Sequence, residues 1–172
     1  MTDLHIDDFC QDAARILLHL YSAFPRRASV YVIDISGDDE PDEVGLHSDR
    51  FMACLGTMLW LAEEGYLRFE AMIYQDGIDQ AVLTSKSFSL LSRVSDIRFT
   101  APDADSPPSI SAERITLVEQ IREALRSGES AKVSMIMRYF LSSTPNVLLP
   151  DPLPVPATEG CSTDEDPDGA LH

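Results

Sequence analysis

One stretch limits what this chain can fold into. Leu59-Trp-Leu-Ala-Glu-Glu-Gly-Tyr-Leu-Arg68 ends an apolar helical stripe at a glycine and passes at once into strand residues. Gly65 suits the left-handed position that closes a helix, where a Cβ is disfavoured. Residues 67–73 then read as a strand, Tyr74-Gln-Asp-Gly77 as a turn, and 78–84 as the returning strand, because Asp-Gly is a strong hairpin signal. Thr84 or Ser85 caps a short helix at about 85–93, with Phe88, Leu90 and Leu91 inward. Elements so closely spaced share one core, and the predicted class is α+β.

The upstream chain supplies the rest of that core. Ile6, Phe9, Cys10, Ala13, Leu17, Leu20, Tyr21 and Phe24 recur at spacings of three and four, which predicts a helix at about 6–23. Asp7 and Asp8 lie in its first turn, where the helix dipole favours acids, and Pro25 stops it. Residues 28–35 are rich in β-branched and aromatic types and read as a strand. From Asp34 to Asp49 there are seven acids and no base, the pattern of a solvated loop. A second helix is predicted at about 48–64, with Ser48 as N-cap and Phe51, Met52, Leu55, Met58, Leu59 and Ala62 on its apolar stripe.

Beyond this unit, three prolines within 100–109 mark a linker, placed at about 96–110. A helical hairpin follows at about 111–143. Ser111 is the expected cap of a helix at 112–126, Gly128 breaks it, and Ser130 is the expected cap of a helix at 131–142. Ile115, Val118, Ile121 and Leu125 line the first stripe, and Val133, Ile136, Met137, Phe140 and Leu141 the second. Neither helix is stable alone in water, so both must pack on the first unit, on each other or on a second copy. Residues 144–172, with six acids and no base, read as a disordered acidic tail. The unit boundaries are therefore 1–95, 96–110, 111–143 and 144–172.

Charge narrows the class of partner. With 29 acids against 13 bases the net charge is -16, which repels phosphate backbones in bulk. Cys10, Cys54 and Cys161 are odd in number and fit no disulfide or zinc spacing. No basic and apolar leader opens the chain, and no apolar run approaches the ~20 residues of a membrane span. The expected location is the cytoplasm.

Leu-Ala-Glu-Glu-Gly-Tyr-Leu at 61–67, with Ala-Val-Leu-Thr-Ser-Lys-Ser-Phe-Ser-Leu-Leu at 81–91, resembles winged-helix proteins of the MarR/PadR type. The likeness covers about 6–93. It implies a winged helix-turn-helix-like domain in which 48–64 takes the recognition-helix position and the hairpin is the wing. That family binds DNA as dimers, often through helices outside the wing, and the 111–143 hairpin is similar in placement to those. Two departures stand out. A strand and an acidic loop replace the helix before the recognition helix, and the Lys/Arg set that neutralises phosphates is missing.

The site candidates follow. Trp60 and Tyr66, with Thr57 nearby, form an aromatic junction of helix and wing that suits either core support or an anchor for a protein partner. Arg26, Arg27, Arg50 and Arg68 are the bases that a DNA reader would have to bring onto one surface. Ile115, Val118, Ile121, Leu125, Ile136 and Phe140 are the dimerisation candidates. No catalytic, cofactor or metal constellation is expected. His47, Ser48 and Asp49 are triad types, but neighbours on one helix end cannot converge. The acidic loop lacks a calcium-loop ligand order, and Asp164-x-Asp166-x-Asp168-Gly169 opens such a loop without its closing Glu. The expected function is a non-enzymatic protein-binding and self-associating module, with a DNA-binding regulator as the alternative.

Overall fold

The structure, a computed structural model, describes residues 4–95 and 116–143. The predicted linker, the Ser111 cap and the acidic tail lie outside the described residues. Within them the chain is mixed helix and antiparallel sheet, as its sequence predicts.

Helix α1 (Leu4–Ala23) is the common support. It buries Cys10, Ala13, Ala14, Ile16, Leu17 and Leu20, and the two alanines let neighbouring backbones approach. After it come strand β1 (Ala28–Tyr31) and helix α2 (Val32–Ser36). The predicted strand at 28–35 therefore stops halfway. Val32 and Ile35 are both buried, a three-residue spacing that a helix satisfies and a strand does not. Arg15 Nη1 donates to the Ile35 carbonyl at 2.7 Å, and Ser36 Oγ donates to the Val32 carbonyl at 3.1 Å, so orphan carbonyls of this short helix are met by side chains.

Helix α3 (Asp49–Glu63) leads into strands β2 (Leu67–Arg68), β3 (Ala71–Ile73) and β4 (Gly77–Leu83). β4 is the middle of the sheet. β1 pairs with one side of it, and β2 and β3 pair in succession with the other. The predicted strand at 67–73 is thus broken at Phe69 and Glu70. Pairs Ala28 with Ala81 and Val30 with Ile78 leave β4 one residue longer than β1, a bulge, and Gln80 there has φ 53°. The extra residue keeps Ile78, Ala81 and Leu83 all buried. Gly77 has a stricter reason: a Cβ at that position would stand 2.2 Å from the Val30 carbonyl oxygen.

Helix α4 (Ser85–Ser92) is capped by Thr84, whose hydroxyl accepts from the Ser87 N–H. Phe88 stacks on Phe24 with ring centroids 4.4 Å apart, tying α4 to the end of α1. Helices α5 (Leu117–Ser127) and α6 (Ser130–Ser142) form the predicted hairpin, with Gly128 at φ 71° between them. Two boundaries differ from expectation. Thr116 is extended and bridges to Val94, which places the start of α5 at Leu117. Ser130 is the first residue of α6 rather than its cap, and its hydroxyl accepts from Gln11 on α1 at 2.9 Å.

The hairpin belongs to the main core. α6 packs along α1, and Ser134 Oγ donates to Asp7 at 2.6 Å. Val118, Ile121, Ile136 and Phe140 are buried within the chain and Leu125 is half-buried against the same cluster. Ile115 lies outside the described residues. The described dimerisation candidates are thus already spent inside one protomer. Burial of a side chain of this size is worth roughly 1.5–3 kcal/mol, so a second copy would have to open this core to use them. Among the described residues no helix is long and apolar enough to cross a membrane.

Candidate protein-interaction surface

α3 has two well-defined ends. Ser48 Oγ accepts from the Phe51 N–H at 3.2 Å, as its sequence position predicts. At the other end Lys86 donates to the Glu64 carbonyl at 2.9 Å, where the helix dipole favours a cation, and sits 3.9 Å from the Tyr66 ring centroid. Between the ends the helix buries Phe51, Cys54, Leu55, Thr57, Met58 and Leu61. Its outer face carries Met52, Ala53, Gly56 and Trp60, all exposed and uncharged, between the exposed acids Asp49 and Glu63 at its two ends. Among the described residues a Cβ on Gly56 would meet nothing within 4 Å, so none of them requires a glycine there.

Of the three predicted partner contacts, only Trp60 reaches the surface. It is 36% exposed, edge-on to Phe9 at 5.2 Å and stacked towards Tyr66 at 6.2 Å. Tyr66 is buried. Its ring lies 5.3 Å from Phe140, and its hydroxyl donates to the Leu141 carbonyl at 3.4 Å. Burial, and then the nearby Glu64, push the Tyr66 phenol above its ordinary value. Thr57 is also buried, with its hydroxyl returned to the Ala53 carbonyl at 3.0 Å. Tyr66 supports Trp60 by stacking, and both Tyr66 and Thr57 are buried away from a partner.

The candidate DNA-contacting bases differ in their surroundings. Arg50 turns inward and grips Asp12 of α1 with two bonds of 2.6 Å, and Asp12 is 1% exposed. The hydrogen bond to Asp12 raises the Arg50 guanidinium above its usual value. Beside them the Cys54 thiol is pushed up to about 12, first by burial and then by Asp12, which makes it an inert core group. Arg27 is ion-paired with Glu70, Arg26 lines a groove along α1, and Arg68 is exposed on β2. The sequence could not reveal the Arg50 pairing, because Asp12 lies on another helix 38 residues away.

The acidic segment is more ordered than a solvated loop. Asp39 accepts from His47 Nδ1 at 2.9 Å and from the Ser48 N–H at 3.3 Å. Asp42 accepts from the backbone N–H groups of Val44 and Leu46. The His47 ring stacks on Phe51 at 3.9 Å, and its Nε2 lies 3.5 Å from Asp76 at the hairpin turn. Bonding by Ser48 and then His47 holds the Asp39 carboxyl below its ordinary value. Asp39 and Asp42 are thus turned to local donors, and among the described residues no group of three or more His, Cys, Asp or Glu is placed to hold a metal ion. Ser48 is engaged as a helix cap rather than as a nucleophile. Beside this segment Tyr31, Ile33, Leu46, Met72 and Tyr74 are exposed large apolar side chains that the sequence reading did not single out. Tyr74, at the hairpin turn with φ 48°, is 90% exposed. Comparison with known proteins gives no match to a family model, a curated protein or a solved structure.

Proposed function

We propose that this chain is a non-enzymatic, cytoplasmic interaction module of winged-helix type that binds a protein partner through the outer face of α3 and also self-associates. In this reading α1, α2 and α3 are the three helices of the winged-helix unit, β2 to β4 are its wing, and 144–172 is an acidic tail. The element order and the central place of β4 support the architecture. The observation that carries the function is the α3 face itself. Where a DNA reader would present bases, it presents Met52, Ala53, Gly56 and Trp60 between the acids Asp49 and Glu63, while Arg50 is withdrawn onto Asp12. A glycine in mid-helix costs about 1 kcal/mol relative to alanine, and no contact among the described residues offsets that cost here. Close approach of a partner backbone beside the Trp60 anchor is the compensation that fits.

The alternative is a DNA-binding regulator of the same architecture, favoured by the element order and by the exposed Arg68 and Arg26. A mobility shift against mixed duplex DNA at low salt separates the two readings. The interaction reading expects no shift. Tight binding that weakens steeply with salt would overturn it, because phosphate neutralisation leaves that signature. Self-association is checked by light scattering across concentration, and a chain that stays monomeric at millimolar levels would remove that part of the reading.

A further inference from the structure

Along α1 runs an open groove of about 530 Å³ whose chemistry runs against the rest of the molecule. Among the described residues Arg15, His19 and Arg26 line it, with one acid, Asp34. Elsewhere five of the nine described Lys and Arg side chains are ion-paired: Arg27 with Glu70, Arg50 with Asp12, Arg122 with Glu119, Arg126 with Glu123 and Lys132 with Glu129. Arg15 and Arg26 are in no ion pair among the described residues, although acids outnumber bases 29 to 13 in the chain. Arg15 is positioned by its bond to the Ile35 carbonyl, so the charge is held at the groove. Leu18, Ile35 and Leu125 add apolar lining between the bases.

We propose that this groove binds a carboxylate-rich peptide segment, and that the occupant is the chain's own stretch from Glu159 to Asp168. Charge complementarity is the first reason. Glu159, Asp164, Glu165, Asp166 and Asp168 lie within ten residues that contain no base. Reach is the second. From Ser143 to Glu159 is 16 residues, about 50 Å when extended. α1 has 20 residues and is about 30 Å long, and α6 lies along it, so the tether exceeds the path to the groove. Tethering is the third. An open groove with two or three charge contacts binds a free peptide weakly, but a covalently linked one is present at roughly millimolar effective concentration. The contact is electrostatic, and salt releases it.

The test uses the full chain. Cys10 and Cys54 are buried, so a nitroxide reagent is directed to Cys161. Amide intensities are then compared before and after reduction of the nitroxide. At low salt the amides of His19, Ser22 and Asp34 are expected to lose at least half their intensity. The loss should vanish in about 0.5 M salt, where the screening length is well under 10 Å. It should also vanish in Arg26→Glu, and in the triple variant Asp164→Asn, Glu165→Gln, Asp166→Asn. Groove amides that keep their intensity at low salt would overturn the proposal. Broadening that survives both sets of substitutions, or that falls on Met52 and Trp60 instead, would overturn it as well. Retention of the parent amide pattern away from the groove shows that each variant is folded.

Discussion

Arg50 lies on the helix that a winged-helix DNA reader would place in a groove, yet its guanidinium points the other way. Asp12 is nearly without solvent, so removing Arg50 leaves a buried carboxylate without its partner. Arg50→Ala is therefore expected to lower unfolding free energy by roughly 3 kcal/mol in urea titration, while Asp12→Leu with Arg50→Met should cost much less. A second residue-scale expectation concerns acid. The folded Asp39 carboxyl lies below its ordinary value, so its contribution is complete above the unfolded value of about 3.9 and is lost as pH falls through the lower folded one. Asp39→Asn should flatten the decline of Tm in that acid window, measured by circular dichroism from neutral pH downward. An unchanged acid limb would show that the bonds to Ser48 and His47 add nothing to stability.

At the scale of elements, two glycines with opposite surroundings make a paired comparison. Gly56 faces open space on α3, so Gly56→Ala is expected to stabilise the isolated chain by about 0.5–1 kcal/mol. Gly77 faces the backbone of β1, and Gly77→Ala is expected to destabilise by roughly 2 kcal/mol or more through overpacking. Thermal melts of both variants decide this, and a Gly56→Ala chain that melts lower would remove the argument that the glycine serves a partner. Helix ends were legible locally, since Ser48 and Thr84 cap as their positions predict. The 28–35 run was not. Val32, Ile33 and Ile35 carry strand propensity, but burial of Val32 and Ile35 against the core selects a helix. Likewise the break at Phe69 and Glu70 and the bulge at Gln80 follow from pairing across the sheet, which local pattern does not encode.

For the whole molecule, the α5–α6 hairpin decides what a truncation does. It packs on α1 and belongs to the same core as α3 and the sheet. A chain ending at Ser95 loses Val118, Ile121, Ile136, Met137 and Phe140 from that core. It is expected to lose its cooperative unfolding transition rather than to give a well-folded monomer, and a sharp melt from that chain would show the first unit to be independent. By itself the sequence determined the strongly periodic helices, the caps at Ser48 and Thr84, the Gly65 step into the hairpin and the acidic balance, because each of these is set by residues within a turn or two of one another. Tertiary structure alone decided that Arg50 faces Asp12, that Tyr66 and Thr57 are covered while Trp60 is not, and that the described residues of the predicted dimer stripes pack into the protomer's own core. Those outcomes depend on which surfaces meet across long stretches of chain, and an apolar stripe carries no record of the surface that will cover it.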